Sequence, residues 1–334
     1  MTGSSIGIKD VAREAGVSIT TVSHALNGKG RIPENTRRRV KGIAERLGYE
    51  PNAIARSLAG GRTGVIAIAF SLVDAVPLAL TDVDYFGQAI GEATKRALEH
   101  DVALVIGPPT PRSQLWSRIP LDGVVLFDPV VADPVLASLR RRGLPLVIVG
   151  RDPGGAGGDY CVDNDHVAGT WTVLDHLAER GARRVALLGG ALEDSFTRDC
   201  VAGYLAWCED HRTQPLCELV PPFDAAAHEV LARWFAMPDR PDAVYANFDA
   251  LGSATLRAAG EHGLGVPRDL LVAVCADRES FEGVAVEPTT LNLNPGQTAT
   301  EAVELLIDVI QGRPPADPTR IIPTRLVPRA STAR

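Results

Sequence analysis

The sequence predicts a small all-α head followed by an α/β core built from two doubly wound lobes. Three observations support this division: a helical pattern with a glycine turn near the start, short apolar runs alternating with helical stretches from residue 63, and an uneven charge distribution. A chain of 334 residues also exceeds one ordinary domain. We expect the head at residues 1–50, a linker at 51–62 and the core at 63–334.

Residues 8–27 predict two short helices joined by a tight turn. Apolar residues recur at helical spacing in residues 8–15. Gly16 tolerates the left-handed backbone of a turn, and the Ser18 hydroxyl can cap the next helix. This pattern is typical of a helix-turn-helix, whose second helix enters the DNA major groove. A helical hairpin without a DNA role is the alternative at this point.

The charge distribution favours DNA binding by the head. The whole chain carries a net charge of −7, which by itself argues against a nucleic-acid partner. Residues 1–62, however, hold 11 Lys and Arg against 5 Asp and Glu, a net of +6, and the remainder carries −13. A basic head on an acidic body is expected of a DNA-binding module joined to a ligand-binding or oligomerisation domain.

Composition and motifs argue against several other classes. We expect no signal peptide and no membrane span, hence a cytoplasmic protein without a membrane partner. The five cysteines form no CxxC pair, so neither a zinc site nor a disulfide framework is expected. The histidines are scattered without an HExxH motif, and we predict no catalytic residues, no metal and no cofactor.

The head is expected to end with a third helix, which starts after Pro33 and closes at Gly48, and the linker follows it. Pro51 stops that helix, and Asn52 can cap a short helix over residues 53–59. A helix this short is marginal in isolation.

From residue 63 the pattern predicts buried parallel strands alternating with helices. The strands are expected at 64–70, 102–107, 123–128 and 145–150, then at 183–190, 242–248 and 270–277. The helices are expected at 86–100, 134–142, 168–180, 198–211, 226–236, 251–262 and 298–311. Two consecutive α/β units indicate two lobes.

The stretch from Ile8 to Gly60 resembles the N-terminal region of the lactose-repressor (LacI/GalR) family of transcription regulators. The pattern DVAxxAGVSxxTVSxxLN, followed by TRxxVxxxAxxLGYxPNxxARxLxxG, carries the likeness. It implies a core like that of type 1 periplasmic sugar-binding proteins, with lobe 1 at about 63–163 and 292–320 and lobe 2 at about 164–291 and 321–332. It also implies chain crossings near Asp163, 290–293 and 318–323.

The resemblance also implies partners and DNA contacts. Family members bind double-stranded operator DNA as homodimers, sometimes as tetramers, and respond to a small polar effector. Their hinge helices enter the minor groove, where a leucine corresponding to Leu58 wedges between base pairs. The expected DNA-binding residues are Ser18, Ile19, Thr20, Ser23, His24, Asn27, Lys29, Arg31, Asn52, Ala55, Arg56 and Leu58.

The effector site is expected beyond the carboxyl ends of the strands, where open α/β sheets bind ligands. The residues predicted there are Ser71, Asp74, Asp128, Arg151, Ser195, Arg198, Asn247 and Asp277. The chain has Cys200 and Ala276 where many family members carry an Arg and an Asp that grip the ligand. We therefore expect poor binding of common free sugars and either a different effector or none. If an effector binds, we expect Arg151 or Arg198 to anchor it, which favours an anionic ligand such as a sugar phosphate or a small acid.

The predicted function is a ligand-responsive repressor that binds a near-palindromic operator as a dimer. His24 replaces the Arg common at that family position, so the operator sequence cannot be inferred from better-known members. One alternative is a soluble small-molecule-binding protein of periplasmic type with a vestigial head. Another is an α/β enzyme with a regulatory DNA head, which the missing catalytic set disfavours.

Overall fold

The computed structural model describes residues 6–26, 30–49, 62–71, 84–107, 118–155, 158–221, 226–277 and 285–334. Contacts divide the chain into two compact units, Met1–Val65 with Arg118–Asp122 and Ile66–Ser117 with Gly123–Arg334. The predicted hinge helix and seven predicted site residues lie outside the described residues: Asn27, Lys29, Asn52, Ala55, Arg56, Leu58 and Asp74. The domain bounds given above stay a prediction.

The head has three helices, α1 (Ile8–Ala15), α2 (Ile19–Leu26) and α3 (Glu34–Leu47). Gly16 ends α1 with φ at +61°, a backbone conformation that favours glycine. The Ser18 hydroxyl accepts a hydrogen bond from the Thr21 amide at 3.0 Å and so caps α2. Val11, Val22 and Val40 bring the three helices together in a fully buried core. The predicted helix-turn-helix is confirmed.

The first lobe contains a six-stranded sheet in the order β11-β5-β4-β3-β1-β2. Its elements are β1 (Val65–Phe70), α4 (Asp84–Glu99), β2 (Ala103–Ile106), β3 (Gly123–Phe127), α5 (Pro134–Arg142), β4 (Leu146–Val149), β5 (Tyr160–Asn164), and later α10 (Pro295–Ile310) and β11 (Thr319–Ile322). Strand β3 pairs in parallel with β1 and β4, and β5 pairs in parallel with β4 and β11. Helices α4 and α10 pack against this sheet.

The second lobe contains another six-stranded sheet, in the order β12-β10-β9-β8-β6-β7. Its elements are α6 (His166–Glu179), β6 (Val185–Gly190), α7 (Ser195–Asp210), β7 (Cys217–Val220), α8 (Ala226–Phe235), β8 (Ala243–Ala246), α9 (Asp249–Glu261), β9 (Leu271–Cys275), β10 (Thr289–Asn292) and β12 (Arg325–Val327). Strand β12 runs antiparallel to β10, while the other registered pairs are parallel.

The chain passes between the two sheets after β5, after β10 and after β11. These passages lie where the family resemblance places them. Side chains on both faces of each sheet are buried, which confirms the predicted fold class of two doubly wound lobes. None of the helices in the described part of the chain has the length and apolar character of a membrane span.

Two helices of the second lobe begin earlier than their apolar spacing predicts, because aspartates cap them. The Asp165 carboxylate accepts from the Ala168 amide at 2.9 Å, so α6 begins at His166 and not at 168. The Asp194 carboxylate accepts from the Thr197 amide at 2.7 Å, so α7 begins at Ser195. Both starts matter for function, since His166 and Asp194 line the cavity described next.

Candidate effector cavity and DNA-binding surface

The outer face of α2 presents a short polar and apolar surface. Ser18, Ile19 and Thr20 are exposed, and Ile19 keeps 44% of its surface accessible. The same helix buries Val22 and Ala25 on its other side, so Ile19 adds apolar surface to an otherwise polar outer face. Ser23 and His24 are half-buried, and Arg31 is exposed in the following loop.

The His24 ring lies against the backbone of the loop after α2. A Cβ atom on Gly30 would fall 2.9 Å from His24 Nδ1, which is closer than real Cβ contacts allow. Gly30 also has φ at +70°, where other residues are strained. Because Gly30 has no side chain, the loop backbone can lie close to His24. This close backbone limits the directions in which the His24 ring can turn.

A cavity between the two lobes of the core, here called the interlobe cavity, collects side chains from both sheets. It occupies about 950 Å³, including the part open to solvent. Asp128 reaches it from the end of β3, Asn247 from the end of β8 and Asp277 from just after β9. These positions follow the rule that ligands bind beyond the carboxyl ends of parallel strands.

The other predicted effector residues are placed elsewhere. Arg151, Ser195 and Arg198 line a second cavity near the edge of the first sheet. Ser71 is fully buried, and the interlobe cavity does not include it. The predicted set is thus divided between two cavities.

Neither of the two arginines predicted as anchors lines the interlobe cavity. Arg151 Nε donates to the Asp163 carboxylate at 2.7 Å, and its guanidinium also pairs with Asp199. Arg198 donates to the Pro153 carbonyl oxygen at 2.9 Å. Strand β5, which carries Asp163, lies beside β4, so Arg151 pairs with a carboxylate of the cavity wall while lining the second cavity itself. The effector role of the two arginines stays a prediction.

The interlobe cavity is strongly acidic. Its lining carries six aspartates, Asp84, Asp128, Asp163, Asp194, Asp249 and Asp277. Within the described residues, neither Lys nor Arg lines it, and His166 is the one lining side chain able to carry a positive charge. The local charge is therefore opposite to that required by an anionic ligand.

Burial and repulsion raise the pKa values of two of these carboxyls, Asp277 and Asp128. Burial raises the pKa of Asp277 to about 7, and the charges of Asp249 and Asp84 act in the same direction. The pKa of Asp128 is raised well above its usual value, first by burial and then by Asp194 and Asp163. Both carboxyls thus resist ionisation.

Asp163 is the exception. Burial acts to raise its pKa, but hydrogen bonds and charge from His166, with further hydrogen bonds from the Asn164 amide and Arg151, lower it overall. His166 Nε2 lies 3.1 Å from Asp163 Oδ1. Asp163 is therefore ionised and internally compensated, unlike Asp128 and Asp277.

Two buried polar atoms on the cavity wall lack a partner within the described residues. Asn247 is 1% exposed, and its Oδ1 accepts from the Gly190 amide at 2.9 Å, while its Nδ2 makes no geometrically acceptable hydrogen bond and has the Cys200 thiol as its polar neighbour. His166 is 6% exposed and uses Nε2 toward Asp163, which leaves Nδ1 unpaired. Buried polar atoms without partners are costly, so such atoms in a cavity wall point to a ligand.

Aromatic rings supply the apolar part of the wall. Phe196 and Phe248 meet edge to face with ring centroids 5.6 Å apart, and Tyr85 meets Phe86 in the same way at 5.2 Å. All four line the cavity. Cys200, which replaces a family arginine, is buried behind this wall, and burial raises the pKa of its thiol to about 12.

The two lobes contact one another beside the cavity. The Val131 amide donates to the Glu193 carbonyl oxygen at 3.0 Å, and the Gln88 side chain donates to the Asp277 carbonyl oxygen at 2.7 Å. The Arg151 amide donates to the Ser195 hydroxyl at 3.1 Å. These bonds hold the lobes in one arrangement, and a change in lobe closure would break them.

Comparisons with known proteins agree with this architecture. The profile of bacterial regulatory proteins of the lacI family matches residues 7–52, and that of the periplasmic binding protein-like domain matches residues 174–332. The two matches support a regulator of the LacI/GalR family. The function class of the chain is therefore a DNA-binding transcriptional regulator, as the sequence predicted.

Individual LacI-family relatives cover almost the whole chain. The transcriptional repressor PurR of Klebsiella pneumoniae is 28% identical over 339 residues, which is 98% of this chain and 96% of PurR. The structure of the regulator CelR with cellobiose is 26% identical with a TM-score of 0.71, covering 98% of this chain and 99% of CelR. The Lac repressor dimer bound to operator and ONPF shares the fold, with a TM-score of 0.77 at 22% identity, covering 98% and 99% of the two chains.

A large part of the cavity wall was not among the residues predicted from the sequence. Asp84, Tyr85 and Phe86 sit at the start of α4, which follows β1 but lies far from its end in sequence. Asp163 and Asn164 end β5, and the strand-end rule applied there would have found them. Phe196 and Phe248 carried no recognisable signal, because single aromatic residues are more often core.

Proposed function

We propose that this protein is a ligand-responsive transcriptional repressor that binds a near-palindromic operator as a homodimer. The observation that carries the proposal is the capped helix α2, whose exposed Ser18-Ile19-Thr20 face lies in the segment matching the lacI-family profile. The name of the PurR relatives, transcriptional repressors, supports the direction of regulation.

The residues of the α2 face have complementary roles in this proposal. The side chains of Thr20 and His24 offer hydrogen-bonding groups to base edges, and Ile19 suits apolar contact with a thymine methyl group. Arg31 contributes a phosphate contact, which fixes position and carries no sequence information. The described part of the head thus offers both kinds of contact that an operator complex needs.

The interlobe cavity is the proposed effector site. Its wall takes Asp128 from the first lobe and Asn247 and Asp277 from the second, so a ligand bound there senses the arrangement of the lobes. An effector shifts an equilibrium between two lobe arrangements only if it binds one of them better. A ligand that touches both lobes meets this condition.

The test is selection of binding sites from a pool of random duplexes with the full-length protein, followed by fluorescence anisotropy on the enriched sequence. We expect a two-fold symmetric motif, and weaker discrimination for Thr20→Ala. The matched control is Lys95→Ala, which removes an exposed cation of the core. No enriched sequence would favour the alternative of a small-molecule-binding protein with a vestigial head.

Sedimentation of the full-length protein tests the proposed dimer. A symmetric operator is read by two copies of α2 related by the same symmetry, so we expect a dimer at the concentrations at which DNA binding saturates. A stable tetramer would extend the proposal to two operators, and a monomer bound to a single half-site would contradict it.

A further inference from the structure

We propose that the interlobe cavity binds a small organic ammonium ion that also carries a hydrogen-bond acceptor such as a hydroxyl group. The identity of this ligand as an effector rests on the proposed regulator function, whereas its binding to the core does not depend on DNA. This ligand has the opposite charge to the anionic effector that the sequence predicts.

The first support is an imbalance of charge. Asp163 is compensated by Arg151 and His166, but Asp277 receives a hydrogen bond from the Leu293 amide at 2.6 Å and no cation among the described residues. None of the hydrogen bonds within the described part of the chain ends on the Asp128 carboxylate. Buried charges are normally paired, so these carboxyls keep their protons until a cation lies beside them, and a cationic ligand lets them ionise and pair with it.

The second support is the pair of unpartnered polar atoms. His166 Nε2 faces Asp163, so Nδ1 is left to accept from a ligand when the ring is neutral and to donate to it when the ring is protonated. The Nδ2 of Asn247 is a donor and suits an acceptor on the ligand. A hydroxyl group both donates and accepts, so it can bond these two atoms while the ammonium group pairs with the carboxyls.

The third support is the shape and chemistry of the wall. No set of described His, Cys, Asp and Glu side chains is arranged to hold a metal ion, so the acidic residues are not grouped for a bare divalent cation. The rings of Tyr85, Phe86, Phe196 and Phe248 instead offer apolar surface to an organic body. Aromatic faces also attract ammonium groups directly.

Neutral and anionic ligands fit these observations less well. A neutral polyol can hydrogen-bond with the carboxyls but brings no charge that lets them ionise. An anion would find no lysine or arginine in the described lining to pair with, and it would oppose ionisation of Asp128, Asp194 and Asp277 further. A desolvated charge without a partner reduces affinity strongly.

The experiment is isothermal titration of the full-length protein with two series of probes that keep the body and change the charge. The first series is glucosamine, glucose and gluconate, and the second is tyramine, tyrosol and 4-hydroxyphenylacetate. We expect the ammonium member of at least one series to bind at least about tenfold more tightly than its neutral analogue. The anionic member should bind more weakly than the neutral one.

Variants place the binding in the cavity. Asp128→Asn and Asp277→Asn keep the side-chain shape and remove a charge, so each should weaken binding of the ammonium probe by about tenfold. Asn247→Leu should weaken it as well, because the acceptor of the probe loses its donor. Arg198→Ala changes the second cavity and should leave the affinity within about twofold. Thermal unfolding of each variant checks that it is folded.

Several results would overturn the proposal: equal affinities within both series, tighter binding of either anion, or no binding of glucosamine and tyramine below about 10 mM. Unchanged affinity in both Asp→Asn variants would also overturn it. The regulator function is tested separately. If the wild-type protein binds the ammonium probe but enriches no DNA sequence, the proposed regulator function is contradicted and the proposed ligand class is not.

Discussion

The proposed DNA-binding surface of the head is built from consecutive residues of one short helix, whereas the interlobe cavity collects side chains from Asp84 to Leu293. The two regions also differ in charge. Residues 1–62 carry a net charge of +6 and the rest of the chain −13, and six aspartates of the acidic part line the cavity. A local pattern creates the first site, and the topology of two sheets creates the second.

This difference predicts opposite responses to solution conditions. The head gains affinity for DNA by releasing counterions from phosphates, so salt should dominate its behaviour. The buried Asp277 carboxyl of the cavity has a pKa of about 7, so changes in pH should dominate the behaviour of the cavity. We therefore do not expect salt or pH to change DNA binding by the head and the stability of the interlobe cavity equally.

The largest expected effect is that of salt on operator binding. The logarithm of the affinity should fall by about 0.9 per phosphate contact for each unit in the logarithm of salt concentration. A dimer making roughly 6–10 contacts then loses about 10³–10⁵ in affinity between 50 and 200 mM salt. Fluorescence anisotropy measures the slope. Over the same range the thermal stability of the core should change little, and a slope near zero would contradict an electrostatic head.

The next largest effect concerns the cavity and pH. Burial, with the charges of Asp249 and Asp84, raises the folded-state pKa of Asp277 from 3.8 to about 7, against the hydrogen bonds from the Leu293 and Asn294 amides. Between these two values the folded protein binds the proton more tightly than the unfolded chain does. The stabilising proton is therefore present below about pH 4 and lost as pH rises through about 7.

Asp277→Asn should remove this dependence. We expect its free energy of unfolding to exceed that of the wild type by roughly 2–4 kcal/mol at pH 8, and the difference to shrink as the pH falls toward 5. Denaturant unfolding at several pH values measures it. Asp210→Asn changes an exposed carboxylate and serves as the control. If Asp277→Asn were less stable than the wild type at pH 8, the ionised carboxylate of Asp277 would stabilise the fold, contrary to this prediction.

Much of the fold could be predicted because its signals are local. Gly16 and Ser18 defined the turn and the cap within the head. Continuous apolar runs located β1–β4, β6, β8 and β9 but not the shorter or more polar strands β5, β7, β10, β11 and β12. Helix starts were less accurate where an aspartate cap, as at Asp165 and Asp194, extends the helix beyond its apolar spacing.

The cavity could be predicted only in part. The strand-end rule found Asp128, Asn247 and Asp277, because a position at the end of a strand follows from sequence. The rule does not give the direction of a side chain, and Arg151 turns toward Asp163 and Asp199, which are 12 and 48 residues away. Residues such as Asp84 and Phe248 join the cavity through tertiary packing that no local pattern records.

A smaller effect is expected from His24, which tests whether α2 reads bases as proposed. His24→Ala should weaken binding to the selected operator by about 1–3 kcal/mol and change binding to random DNA little. Anisotropy with both duplexes measures the two losses. Gly30→Ala should act in the same direction, because the added Cβ would press on His24 Nδ1. Equal losses on both duplexes would assign His24 to phosphate contact.

The smallest effect separates the folding of α2 from its contacts. Ser18→Ala removes the hydroxyl that caps the Thr21 amide and should cost the head about 1 kcal/mol. Ser18→Asp keeps a capping oxygen, so it should restore the stability of α2 while adding a negative charge that weakens DNA binding. Hydrogen exchange of the α2 amides measures the first property and anisotropy the second. Thr20→Ala, which removes an exposed hydroxyl outside the cap, is the control for exchange. Unchanged exchange in Ser18→Ala would mean that packing of Val22 and Ala25 alone stabilises α2. The DNA-binding surface would then depend on tertiary packing, as the interlobe cavity does, and not on a local sequence pattern.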